Sequence, residues 1–270
     1  MSATYAVAPD GEFATLTVAF LGDYLQFFLD NQAQLWELLM EHLAIVGRAM
    51  LIAVPLGVLL GTVITYDDRL ATVVLWLAGV MMTVPSIALF GLLIPYLGIG
   101  KPPVVFALIL YTQLPVVRNT YVGLSRVDEA AVEAGTGLGM TRVQRLRRVQ
   151  VPMALPVIMA GVRNAVVLLI GIAAIGAFVG AGGLGDLIFD GIDSANTAKI
   201  VVTTAVLSGF TLAVDYVLAS IEQVLRLRNG EEVEPKLGTR VLSGVLGRVS
   251  ATGGASRPGA STTTEDSVQS

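Results

Sequence analysis

Apolar residues run through this chain in long unbroken stretches, not in the alternation of a half-buried strand. Five stretches reach the roughly 20 helical residues that cross a bilayer core. They cover about 43–66, 70–97, 104–124, 153–179 and 198–225. The second contains Pro85 and Pro95, and the third contains Pro115. Membrane helices tolerate such prolines but often kink or break at them. The pattern predicts an all-α polytopic membrane fold with about five transmembrane helices. Residues 1–36 form an extracytoplasmic or interfacial N-terminal segment, residues 37–227 the transmembrane domain, and residues 228–270 a polar tail. That tail is rich in Gly, Ser, Thr and Pro and cannot bury a core. Before the first span, Leu25, Phe28 and Leu29, then Leu35, Leu38 and Leu39, recur at helical spacing. Two readings stay open for them: an interfacial amphipathic helix, or a helix packed on the bundle.

Composition supports the membrane reading. The chain is 54% hydrophobic and 14% charged, with mean hydropathy +0.74. A soluble domain carries about 25% charged residues. There is no cysteine, which excludes disulfides and thiolate metal sites. Residues 1–47 hold no Lys or Arg, so no secretory signal peptide is expected.

The basic residues set an expected orientation. Arg126, Arg142, Arg145, Arg147 and Arg148 lie in one loop, 126–152. Arg69, Arg226 and Arg228 fall on the same side, and the opposite side has only Lys101 and Lys199. The positive-inside rule puts that loop and the C-terminus in the cytoplasm and the N-terminus outside. The protein is expected in the plasma membrane.

Three groups of residues invite a functional reading. The first is the loop "DEAAVEAGTGLGMTRVQRLRRVQVPMALPVI", 128–158. It reads as a short amphipathic helix, a glycine break, a second basic helix, then prolines that open the fourth span. It is too apolar for a plain linker and too polar for the bilayer, which suggests a cytoplasmic docking element. The second is "FVGAGGLGDLIF", where Gly180, Gly182 and Gly185 spell G-x-G-x-x-G. A dinucleotide site would need a strand before those glycines, and here a membrane span precedes them. A tight turn ending in a short re-entrant or interfacial helix, Asp186 to Ile192, is expected instead, with Gly183 in the same turn. The third is Arg163 with Asp215, about equally deep in the fourth and fifth spans. Lone charges there are costly, so an ion pair between the spans is expected. Asp215 reads as the only well-buried acid.

Lesser candidates have plainer accounts. Arg118 beside Asn119, and Arg48, sit where snorkelling explains them. His42, the only histidine, has no cluster around it to suggest a metal. Tyr96, Phe106, Tyr111 and Tyr121 could line a path for a cation, but aromatics also pack bundles.

The 128–158 loop resembles the EAA loop of binding-protein-dependent ABC importer permeases. That family's pattern is E-A-A, three residues, G, nine residues, I-x-L-P. Glu133, Ala134 and Gly135 stand at its first three places, Gly139 at the glycine, Val149 and Val151 at Ile and Leu, and Pro152 at the proline. Gly135 replaces an alanine, and the two valines are aliphatic exchanges. "TVPSIALFGLLIPYLGIG", "LPVVRNTYVGL" and "ALPVIMAGVRNAVV" resemble the branch that imports glycine betaine, choline, carnitine and related compatible solutes; "GAGGLG" is shared with methionine and phosphonate importers.

The resemblance implies a type I importer fold and a groove on a cytoplasmic ATPase that receives the loop. Glu133 would supply a polar contact there and Ala134 a close-packed one. It also implies an ATPase dimer that uses ATP and Mg, an extracytoplasmic solute-binding protein, and a second permease subunit, identical or paralogous. Gly180, Gly182, Gly183, Gly185 and Asp186 would lie near the outer gate and the binding-protein side. The chain carries no G-x-x-x-x-G-K-[ST]. It is therefore expected to be non-catalytic and to bind no cofactor itself. Membrane lipid is an expected partner and nucleic acid is not. The rivals are an ion-coupled secondary transporter, a membrane scaffold, and an importer of methionine or another small metabolite.

Overall fold

The computed structural model describes residues 22–229, which are helical with no strand among them. The polar tail and the first residues of the N-terminal segment lie outside the described residues.

Residues 22–30 are helical, and the chain turns at Asn31, whose Nδ2 donates to the Phe27 carbonyl at 2.8 Å. Helix α1, Gln32–Val63, follows, with a 3-10 turn Ile64–Tyr66. The turn at Asn31 divides the N-terminal amphipathic stretch. Leu25, Phe28 and Leu29 remain exposed, whereas Leu35 and Leu39 enter the core. From the first segment Tyr24 and Phe27 also pack against the core, so both sides of Asn31 touch the bundle.

Asp67 caps the next helix by accepting from Arg69 N at 2.8 Å and Leu70 N at 3.3 Å. The second apolar stretch is not one straight span. It consists of α2, Asp68–Thr83, and α3, Ser86–Leu97, bent by 98° at Val84–Pro85. Pro85 has no N–H to continue the ladder, and the residue before a proline is pushed into extended backbone. Val84 has φ −71° and ψ 126°. Its freed carbonyl accepts the Tyr111 hydroxyl at 2.6 Å, so the break is satisfied from a neighbouring helix.

Tyr111 lies in α4, Lys101–Ser125, the centre of the bundle, with α1 and α7 packed along it and α2 and α3 against it. By length and apolarity alone, three single helices qualify as spans and the bent pair counts as a fourth. α4 falls short because it carries Thr112, Gln113, Arg118, Asn119 and Thr120. The helix takes up part of that polarity on its own backbone. Thr112 Oγ1 donates to Leu108 O at 2.7 Å, Asn119 Nδ2 to Pro115 O at 2.7 Å, and Gln113 Nε2 to Ile109 O at 2.8 Å. Two glycines let the neighbours reach the α4 backbone. A Cβ on Gly61 would stand 2.8 Å from Val117 O, and one on Gly161 would stand 2.7 Å from Pro115 O.

After α4 come α5, Glu129–Gly137, and the four-residue α6, Arg142–Arg145, which runs through a π turn, Leu146–Gln150, into α7, Val151–Ile175. A 3-10 turn, Gly176–Val179, leads to the glycines, then to α8, Leu184–Asp193, and α9, Thr197–Arg228. The main core joins α1, α3, α4, α7, α8 and α9 around Ile45, Phe90, Leu108, Leu169 and Leu184. The bundle therefore has two ends: a loop end with α5 and α6, and a glycine end with residues 176–193.

Candidate functional site

At the loop end, the sequence builds a compact helix–turn–helix. Asp128 caps α5 by accepting from Ala130 N at 3.0 Å. Gly139 has φ +75°, a conformation costly for any residue with a Cβ, and it turns the chain into Thr141. Thr141 and Gln144 form a capping box, with Gln144 N donating to Thr141 Oγ1 at 3.3 Å and Thr141 N to Gln144 Oε1 at 2.9 Å. Arg145 Nη1 donates to Thr136 Oγ1 at 2.8 Å and ties α6 to α5. Gly135 is buried beneath Arg145; a Cβ there would meet Arg145 Cγ at 3.1 Å. This crossing explains why glycine suits that place.

Glu133 and Ala134 are exposed, and Glu133 forms no ion pair among the described residues. Leu138 is 78% exposed and Val143 59%, apolar side chains left bare on a polar loop. Val149 is half-buried, and Val151 packs with Leu146 and Val127 against Leu124, Ala154 and Ile158. Pro152 is in the first turn of α7, directly after the π turn. Pro156 deprives the Pro152 carbonyl of its helical donor, and Asn229 Nδ2 supplies one at 3.2 Å from the end of α9.

At the glycine end, Gly180, Gly182 and Gly183 have φ of +75°, +85° and +82°. Gly183 N donates to Glu41 Oε2 at 2.9 Å, and Lys101 Nζ lies 2.6 Å from Glu41 Oε1. One carboxylate thus joins α1, the start of α4 and the glycine turn. A Cβ on Gly182 would fall 2.6 Å from that carboxylate, and one on Gly183 would press on His42. His42 is fully buried with Nε2 3.0 Å from Ile170 O, a packing role. Gly185 lies directly on the α7 backbone at Ala174 and on Ala177. Asp186 opens α8; desolvation there and the nearby Glu41 push its carboxyl up from the ordinary value. A 3-10 turn, not a strand, precedes the glycines, so the dinucleotide pattern is only a spelling.

Between the ends, Arg163 Nε donates to Asp215 Oδ1 at 2.6 Å and its Nη2 to Oδ2 at 2.9 Å, a bidentate pair from α7 to α9. Asp215 is not the best-buried acid. Glu222 is more deeply buried, lies 3.5 Å from Arg163 Nη1 and bonds Arg226 at 2.9 Å. Glu222 stands two helical turns after Asp215 and four residues before Arg226, a spacing that put it on the same face. Glu41 carried no comparable signal, because its partners lie far away along the chain. The four aromatics are not gathered into a cage. Tyr96 and Phe106 are exposed, Tyr111 serves Val84, and Tyr121 packs beside Ile64 and Val117. Arg48 and Arg118 are exposed, and Asn119 bonds its own helix.

The sequence profile of the family described as "Binding-protein-dependent transport system inner membrane component" matches residues 53–227. The chain belongs to this family. Among its relatives, the Osmoprotectant import permease protein OsmW of Salmonella typhimurium is 43% identical over 75% of this chain and 97% of its own length. The Choline transport system permease protein OpuBB of Bacillus subtilis is 38% identical over 74% and 93%, respectively. The Carnitine transport permease protein OpuCD of Listeria monocytogenes is 37% identical over 76% and 92%. Among solved structures, the inward-facing MetNI methionine ABC transporter superposes with TM-score 0.60 at 23% identity, covering 71% of this chain and 94% of that one. An amino acid ABC transporter with histidines gives 0.59 at 18% identity, covering 75% and 97%. These two likenesses show the importer-permease fold. As a member of this family, the chain is an all-α, multi-pass inner-membrane subunit.

Proposed function

We propose that this permease is the membrane-spanning subunit of an ATP-driven importer of compatible solutes such as glycine betaine, choline and carnitine. The observation that carries the solute class is the run of relatives named for osmoprotectant, choline and carnitine transport, matched over more than nine-tenths of their length. The loop end faces the cytoplasm in this reading and seats α5 and α6 in a groove of the ATPase. Leu138 and Val143 are the apolar anchors, and Glu133 and Ala134 flank them. Support comes from the bare apolar residues on a self-contained loop and from the arginines gathered at that end. The glycine end faces outward, toward a solute-binding protein. ATP and Mg act in the ATPase dimer, and a second permease subunit completes the pathway.

Uptake of labelled glycine betaine, choline and carnitine in cells with and without this gene, at low and high external osmolarity, tests the reading. Loss of osmotically stimulated uptake on deletion supports it. Unchanged uptake of all three, with no redundant system, refutes the solute class and turns the search to methionine. Glu133→Arg tests the loop: the ATPase should no longer co-purify, and undiminished assembly removes Glu133 from that role.

A further inference from the structure

We propose that Glu41 is a positioning residue of the transport cycle, a latch that holds the glycine turn closed against α1 and α4 and must release when that end opens. The proposal rests on the transport reading above for its consequence, and on geometry for the latch itself.

Four observations converge on Glu41. Its carboxylate has two partners from two other elements, the Gly183 N–H at 2.9 Å and the Lys101 ammonium at 2.6 Å. The turn it holds contains three glycines with positive φ; Gly180 N and Ala181 N bond back to Ala177 O and Gly176 O, whereas the Gly183 N–H is held from outside the turn by the carboxylate. Gly182 sits so close to Glu41 that any side chain there would displace the carboxylate. Glu41 and Lys101 both keep part of their side chains exposed, 30% and 42%. A partly hydrated ion pair can break without stranding a charge, unlike a fully buried one. This suits a contact that opens and closes. Behind it, His42 is fully buried under Gly183 and keeps the turn's floor in place.

The test uses the whole complex, with its ATPase and binding protein, and reads ATP hydrolysis without binding protein alongside uptake per ATP. In Glu41→Ala complexes, basal hydrolysis should rise and uptake per ATP fall by about tenfold, the scale of losing hydrogen bonds to a charged group. Glu41→Gln keeps an acceptor for Gly183 but loses the Lys101 pair, so it should fall between. Lys101→Met should match Glu41→Gln, and the two together should add little to either. These two variants carry the test if Glu41→Ala does not assemble.

Gly182→Ala and Gly180→Ala share a positive-φ strain, with φ +85° and +75°. Only the first displaces Glu41; a Cβ on Gly180 would lie 3.6 Å from Ile99 Cγ2. Gly182→Ala should therefore uncouple more than Gly180→Ala, and it should do so no further in a Glu41→Ala background. Basal hydrolysis equal to wild type in assembled Glu41→Ala, or equal effects of the two glycine variants, overturns the latch. Basal hydrolysis can be read whether or not the wild type carries betaine, so a wrong solute leaves this test standing.

Discussion

Glu41 and Gly183 are 142 residues apart and share a hydrogen bond; His42 and Ile170 are 128 apart and touch in the same region. At the other end, Thr141 bonds Gln144 three residues on, and Arg145 bonds Thr136 nine residues back. The glycine end is thus stapled together by contacts between distant elements. The loop end makes its own shape locally and meets the bundle where Val127 and Leu146 pack against Leu124, Ala154 and Ile158. A locally built unit with bare apolar tips can be pushed as one body by a partner. An end stapled across helices converts small helix shifts into making or breaking contacts. Under the proposed function, the contrast fits force input at one end and gating at the other.

The largest effect should come from filling the glycine end. Gly185→Val drives two methyl groups into the α7 backbone and should cost at least about 3 kcal/mol, beyond ordinary overpacking. Its thermal unfolding in detergent should fall sharply or the protein should fail to accumulate. Gly137→Ala at the loop end has nothing within 4 Å of the new Cβ. It should stabilise by about 0.5 kcal/mol through helix propensity. Equal responses would erase the contrast.

Next in size, Leu138→Asp combined with Val143→Asp should weaken ATPase binding by at least about 2 kcal/mol, roughly 30-fold, if these are interface anchors. The unfolding temperature of the isolated permease should not change. A fall in stability without loss of binding would make these residues part of the fold.

The charged seam between the ends should respond less. Arg163→Met leaves Asp215 beside Glu222 and should cost about 2 kcal/mol, with Asp215→Met in the same chain recovering part of it. Equal cost in single and double variants would mean that the loss does not come from leaving Asp215 without Arg163. Smallest is Asn229→Ala, about 1 kcal/mol for one hydrogen bond. That loss should shrink in a Pro156→Ala background, where the helix regains the N–H that Asn229 replaces.

The sequence carried the spans because apolar length is a local property. It carried the loop because caps and glycine turns are written within a few residues. The 98° break was foreshadowed by Pro85, but the donor that satisfies the Val84 carbonyl there, Tyr111, lies in another helix. Arg163 and Asp215 were legible because an unpaired charge in a span demands a partner. Glu222 was hidden by its place near the charged end of α9, where an acid looks solvated. Glu41 and Lys101 were hidden more deeply, since no local pattern announces a bond between residues on three separate elements.

The most direct measurement reconstitutes the permease with its ATPase and binding protein in sealed vesicles and follows labelled glycine betaine. The account predicts accumulation that requires ATP on the loop side and binding protein on the glycine side, and that persists when proton and sodium gradients are collapsed. Accumulation that follows an ion gradient and ignores ATP would contradict it.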